Sequence, residues 1–261
     1  DPAGVKFNRI CLTENKRQGN EKHPILKMVK QLEEYQLEDE KGPCKKGLRD
    51  AAAEKKDYIA IFDGGESPLD SLDDYLKSSN IPLKDLPPIL CFSREDVARV
   101  NRHVHEYYKN KVMPDPRSKV LFVGSAEFFE GEPVINVFNR RDLDLWNGTR
   151  GRVVRKENAL LAEFPEVLKD DGSPLTWWLD SGIKRAYAVT VHRAQGEGYN
   201  EVIIYLGDKV PEQLVHRGSL YTAITRAKEK LIFIGSVKNF DDGYARPNLA
   251  RESNFLKFAF K

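Results

Sequence analysis

The sequence predicts an α/β fold: a parallel sheet flanked by helices, with a small β-rich insertion. Three observations carry this. ILCFSREDVARVN, Ile89–Asn101, is a short apolar run, a polar turn and then apolar residues at helical spacing. Strand, turn and helix in that order make the repeating unit of an open α/β sheet. The same texture returns late in the chain, at Ala186–Val191, Val202–Leu206, Pro211–Arg226 and Leu231–Ile234. Between the two blocks, short apolar runs are punctuated by Gly131, Asn147-Gly148 and Asp171-Gly172, which is the texture of antiparallel strands.

Taken in order, Val5–Leu12 reads as a core strand followed by the polar turn TENKRQGNEK. An apolar strand with almost nothing ahead of it is expected of a piece of a longer protein. Ile25, Met28, Val29 and Leu32 fall on one helical face. Glu38–Lys46 is charged and contains Gly42-Pro43, so it reads as an exposed loop. Tyr58–Phe62 predicts a strand. Ser67-Pro68 supplies an N-cap and a first helical residue for a helix through Leu76. Ile89–Phe92 is a buried strand after Pro87-Pro88, and Ser93 with Asp96 resembles a capping box for the helix carrying Val97, Val100, Val104 and Tyr107.

Val120–Val123, Pro133–Phe138, Gly151–Val154, Ala159–Phe164 and Leu175–Leu179 are short strand candidates, with Asn147-Gly148 as a hairpin signal. LTWWLD alternates, so one of its tryptophans belongs to a core; Trp178 is assigned there, and Trp146 is left open as a base-stacking side chain. Arg251 onward reads as a terminal helix. The expected organisation is a main domain of residues 1–130 and 184–261, interrupted by an insertion at 131–183.

The chain has 261 residues, 40% hydrophobic and 31% charged, with a formal net charge of +2. So small a charge gives no global field for a polyanion, and any such site must be a local cationic cluster. Cys11, Cys44 and Cys91 are odd in number and lack C-x-x-C spacing. That argues against a disulfide framework or a zinc site and predicts a reducing, intracellular setting, cytoplasmic or nuclear rather than secreted. No apolar run is long enough to span a bilayer, so no membrane partner is expected.

No G-x-x-x-x-G-K-[ST] occurs, so the chain has no self-contained phosphate loop. Three other segments concentrate polar donors beside predicted strands. In VTVHRAQGEG the strand delivers Thr190 and His192 to its carboxyl end, with Arg193 and Gln195 next and Gly196 and Gly198 lightening the turn. Such donors, with N–H groups that glycine leaves unshielded, suit phosphate oxygens. Read alone, the segment is more readily a polar turn with internal hydrogen bonds. In SLYTAITRAKEKLIFIG, Thr222 and Arg226 are four apart, which puts both on one helix face. Arg226 there either reaches out of the domain or simply complements the helix C-terminus. In LTENKRQ, Arg17 follows a predicted strand, and it reads either as a site residue or as a solvated loop cation.

Together and in this order, LTENKRQ, TVHRAQG and YTAITRAKEKL resemble motifs IV, V and VI of the superfamily 1 helicases, and YAVTVHRAQG is most similar to the RecD-like branch. EGEPVINVFNRRDLDLWNGTRGRVV and ILCFSREDVARVN resemble, respectively, the segment leading into that branch's small β insertion and the strand–helix unit before it. The resemblance covers most of the chain apart from roughly residues 38–84. It implies the second RecA-like domain (P-loop NTPase type) of such a helicase, with the phosphate loop and the Mg2+-binding carboxylates on a first RecA-like domain upstream.

That resemblance implies ATP and Mg2+ as cofactors of the intact protein, none bound by this chain alone, and single-stranded nucleic acid as a partner. It implies that Arg17 and Arg226 act on the γ-phosphate across the interdomain cleft as catalytic arginines. It implies nucleic-acid contacts from Thr190, His192, Arg193 and Asn139, with Asn147 a weaker candidate, and nucleotide coupling through Gln195, Gly196 and Glu197. Many relatives carry an acidic residue two places after the motif V glycine; here that place is Gly198 and its neighbour is Glu197. Sugar recognition then falls to Glu197 or is lost. The branch implies 5′→3′ movement. A non-hydrolysing nucleic-acid-binding or scaffolding module of the same fold, or a subunit lending its arginines to a separate ATPase, are the alternatives.

Overall fold

The computed structural model describes residues 25–29, 59–63, 65–112, 121–124 and 126–246. The predicted strand Val5–Leu12, the LTENKRQ segment with Arg17, the loop at Glu38–Lys46 and the terminal helix from Arg251 lie outside the described residues.

Among the described residues the parallel sheet has five strands, β1 (Ile59–Phe62), β2 (Ile89–Cys91), β10 (Ala188–Thr190), β11 (Tyr199–Tyr205) and β12 (Ala227–Ile234). Their order is β1-β12-β11-β2-β10, every pair parallel. The central strands are continuous apolar runs because both faces are covered. Alternate side chains go to opposite faces. Val202, Ile204 and Leu206 join one core with Leu231 and Phe233, whereas Ile203 and Tyr205 join the other with Ile232 and Ile234.

Helices α1 (Pro68–Ser79) and α2 (Arg94–Val112) cover the second of these faces, through Leu72, Leu76, Val100 and Val104. Helices α3 (Arg217–Ile224) and α4 (Val237–Ala245) cover the first, with Leu220, Ile224 and Phe240, together with Ile25, Met28 and Val29 from a helical segment at 25–29. Ser67 and Asp70 form a reciprocal capping box at the start of α1, with Pro68 at its first turn. The Asp96 N–H donates to Ser93 Oγ at 3.0 Å, the capping arrangement its sequence suggests. Among the described residues no helix is long and apolar enough to cross a membrane.

Pro211–Arg226 is not one helix. A 3-10 turn at Glu212–Leu214 precedes α3, and the Ser219 hydroxyl accepts from the His216 N–H at 3.0 Å, so helical propagation restarts there. Arg226 consequently lies beyond the end of α3 rather than within it. Helix α4 had no counterpart in the sequence reading.

The second sheet is antiparallel, with strands β5 (Pro133–Asn136), β6 (Arg150–Lys156), β7 (Ala159–Leu168), β8 (Pro174–Trp178) and β9 (Ile183–Arg185) in the order β8-β7-β6-β5-β9. A hairpin of β3 (Leu121–Val123) and β4 (Ala126–Phe128) precedes it. The β4 and β9 segments were not anticipated from sequence. The β6–β7 turn uses Glu157 at φ +52°, with no glycine to announce it. Asn147-Gly148 lies in the long β5–β6 connection instead of joining two strands tightly, and only Gly148 has positive φ.

The tryptophan assignment is corrected here. Trp177 faces the insertion core with Leu175 and Leu179, its indole N–H donating to Asp180 at 3.1 Å, while Trp178 is 65% exposed. The alternation was legible; its phase is set by pairing with β7, where Trp177 stands opposite the buried Ala162.

Candidate nucleic-acid interface

The site is organised around β10, the edge strand of the sheet among the described residues. Its Val191 N–H and Tyr187 carbonyl bond to β2, at Cys91 O and Ile89 N. In a strand the intervening backbone groups point the other way, and at a sheet edge they need another partner. Asn101 of α2 provides it. Its Nδ2 donates to Ala188 O and its Oδ1 accepts from Ala188 N–H, both at 2.9 Å. The amide acts as a one-residue surrogate strand, and it fixes the height at which β10 delivers Thr190.

Beyond Thr190 the chain coils tightly. The N–H groups of Arg193 and Ala194 donate to Thr190 O, that of Gln195 to His192 O, and that of Glu197 to Ala194 O. These four N–H groups are therefore bonded within the turn, and the glycines expected to leave N–H groups unshielded, Gly196 and Gly198, are not among them. Gly196 has φ +92° with open space where a side chain would begin, so the backbone conformation, not a close neighbour, requires glycine. The coil turns His192, Arg193 and Gln195 outward, all exposed, and leaves Thr190 half-buried.

The outward His192 and Arg193 border a groove of about 860 Å³ between α2, the edge of β10 and the insertion. Arg94 and Arg102 line one wall, Lys184 and Arg185 another, and Thr190, His192, Arg193 and Asn147 the rest. No carboxylate is among these lining side chains. This is the local cationic cluster that a chain of net charge +2 needs if it is to hold a polyanion. Arg94, Arg102, Asn101 and Lys184 were missed from sequence. Arg94, Ala98 and Arg102 recur every four residues along α2, which was the available signal.

Arg185 is partly spoken for. It donates to Glu127 O, lies 3.3 Å from His105 Nε2 and 3.5 Å from Glu132 Oε1. Glu132 is fully buried, receives the Tyr187 hydroxyl at 2.6 Å and the Phe129 N–H at 2.9 Å, and pairs with His105 Nδ1 at 2.6 Å. This network joins α2, the β3–β4 hairpin, the insertion and β10 into one groove floor. His105, Glu106 and Glu127 stand close enough to suggest a cation site. Lys109 already supplies the positive charge there, bonded to Glu127 and holding its carboxyl below the ordinary range.

Three of the expected strand contacts come together. Asn139 Oδ1 accepts from the Asn147 N–H at 2.9 Å, and Asn147 Oδ1 accepts from the Arg193 guanidinium. Trp146, adjoining Asn147, is 49% exposed. Glu197 does not extend toward open space as a sugar contact would. Its carboxylate is 3.2 Å from Arg150 Nε on β6, off the hydrogen-bond direction, so the attraction is coulombic. Burial lowers the Arg150 pKa, opposed first by Glu197.

Arg226 is not extended away from the domain either. Its Nε donates to Thr222 O at 3.0 Å, and Nη1 donates to Glu197 O at 2.9 Å and lies 3.5 Å from Ala194 O. The helix end supplies one acceptor and the coil after β10 supplies two. The guanidinium therefore rests beneath the segment that carries Gln195, Gly196 and Glu197.

Residues 185–234 match the model of the UvrD-like helicase C-terminal domain, which takes in β10, the coil, β11, α3 and β12. The chain is 28% identical over 155 residues to an ATP-dependent RecD2 DNA helicase of Deinococcus radiodurans, covering 59% of this chain and 21% of that protein. It is 31% identical over 111 residues to the RecBCD enzyme subunit RecD of Mycolicibacterium smegmatis, covering 42% and 19%. The chain thus spans about a fifth of the length of these curated relatives. Among solved structures, that of Bacteroides Pif1 bound to ssDNA is similar at 16% identity and a TM-score of 0.40, over 72% of this chain and 49% of that one.

Proposed function

We propose that this chain is the second motor domain of an ATP-dependent helicase, the UvrD-like C-terminal, RecA-like domain of a superfamily 1 enzyme of the RecD-like branch. The groove holds the backbone of single-stranded nucleic acid, with Arg94, Arg102, Lys184 and His192 facing the phosphates and Thr190 and Asn139 fixing its path. Trp146 offers a stacking face to one base. The observation that carries this reading is the continuity between the two functions. The coil that borders the cationic groove is the same coil on which Arg226 rests.

ATP and Mg2+ belong to the closed state formed with a first RecA-like domain. Phosphoryl transfer asks mainly for charge placed against the γ-phosphate, and a planar, permanently charged guanidinium suits that task. Arg226 then exchanges its carbonyl partners for phosphate oxygens as the domains close, joined by Arg17. Because the carbonyls belong to the coil after Thr190, a shift of that coil when strand is bound changes how readily Arg226 is released. Residues 131–183 form the insertion that completes the groove, and movement along the strand is 5′→3′.

The satisfied state of Arg226 favours one second reading, a nucleic-acid-binding module that hydrolyses nothing. Adding a first RecA-like domain in trans separates the two. The motor reading expects strand-stimulated ATP turnover that vanishes when either component is omitted. Strand binding without turnover, under conditions where the two domains associate, supports the binding module instead.

A further inference from the structure

The coil after β10 is held from two sides. Arg226 supports it from below through the Ala194 and Glu197 carbonyls. The insertion grips it from above: Arg193 donates to Asn147 Oδ1, and the Arg150 guanidinium lies 3.2 Å from the Glu197 carboxylate and 5.2 Å from the centre of the Tyr199 ring. Arg150 opens β6, and Tyr199 opens β11. One side chain therefore ties the first residue of an insertion strand to both the end of the coil and the start of a central strand of the parallel sheet.

Two features make this tie more than surface decoration. The Arg150 side chain is only 26% exposed, and a guanidinium withdrawn from water needs a counter-charge, which Glu197 supplies. In addition, Glu197 is held at both ends, its carboxylate by charge attraction to Arg150 and its carbonyl by a hydrogen bond from Arg226. A displacement of the insertion is transmitted through one residue to the arginine under the coil. A phosphate entering the groove also competes with Asn147 for Arg193, which leaves the Arg150–Glu197 pair as the remaining charged link between insertion and coil among the described residues.

We propose that Arg150 is a positioning residue that, through Glu197 and Tyr199, sets the coil after β10 and so couples strand engagement at the insertion to Arg226. The coupling to strand rests on the helicase reading; the mechanical link does not.

The test is a double-mutant cycle with Arg150→Met, Glu197→Gln and the charge swap Arg150→Glu with Glu197→Arg. Hydrogen exchange is measured on the 261-residue chain. Arg150→Met is expected to speed exchange of the coil amides 191–198 about tenfold, a typical coupling for charges in contact, while the β6–β7 ladder is unchanged. The charge swap is expected to exchange more slowly in the coil than either Arg150→Glu or Glu197→Arg alone. In the intact helicase, Arg150→Met is expected to raise the strand concentration for half-maximal stimulation of ATP turnover about tenfold. Unaltered coil exchange in Arg150→Met, or purely additive effects in the swap, overturns the proposal. Should Arg150→Met not fold, Arg150→Lys keeps the charge and loses the planar stacking on Tyr199, and an intermediate rise in coil exchange is then required. If the wild-type protein neither binds oligo(dT) nor responds to it, the helicase reading fails, while the exchange measurement still decides the mechanical link.

Discussion

Asn101→Ala should destabilise the domain and weaken strand binding together. Ala188 is 1% exposed, and both of its outward backbone groups bond to the Asn101 amide at 2.9 Å. Truncation leaves a buried N–H and a buried C=O without partners, each costing about 1–3 kcal/mol. Ala188 and Asn101 both line the groove, so water can enter the vacated space and moderate the loss. The expected cost is therefore about 2–4 kcal/mol. For a chain of this size that corresponds to a fall of roughly 4–15 °C in Tm. Urea unfolding at 25 °C measures it, with the m-value unchanged. Because the same amide sets where β10 ends, oligonucleotide affinity at low salt should fall as well, even at temperatures where the variant stays folded. A loss below about 1 kcal/mol would refute the claim that Asn101 replaces a missing neighbour strand.

Further outcomes follow from the same geometry. In the intact protein, Arg226→Ala should reduce ATP turnover by at least about 10³-fold with little change in strand binding, and Arg226→Lys should not rescue it; near-normal turnover would remove its catalytic role. Arg102→Ala should lower the slope of log affinity against log salt by about 0.7 for single strands, measured by anisotropy across a salt series, if that cation meets one phosphate. Asp96 is buried with Oδ2 lacking a hydrogen-bond partner, and burial raises its pKa, opposed by Ser93 and Arg99. A raised carboxyl pKa means the fold holds the proton more tightly, so the stability it contributes is full below the ordinary aspartate range and is lost as pH rises through the folded value. Asp96→Asn should therefore be more stable than wild type at neutral pH and lack that pH-dependent step, as seen by denaturation at several pH values.

Much of the molecule follows from local rules. The capping of α1 by Ser67 and Asp70, the fully apolar central strands and the antiparallel texture after Lys119 are each written in a few adjacent residues, because caps, strand burial and turns depend on short-range geometry. The motif segments likewise carry the resemblance to the helicases whose C-terminal domain model matches residues 185–234, and with it which polar residues to watch. Where those residues point was decided by tertiary packing. Trp177 rather than Trp178 entered the core because register with β7 set the phase of the alternation. Asn101 became a partner for Ala188 because an edge strand happened to meet α2 there, across 87 residues of sequence. Arg226 folded onto carbonyls of the coil, and Glu197 turned to Arg150, because charges withdrawn from water settle on the nearest partners the fold supplies. Sequence determines the inventory of donors and the elements that carry them. Only the assembled fold, by bringing distant segments within a few ångströms, determines which of them pair and which remain facing the groove.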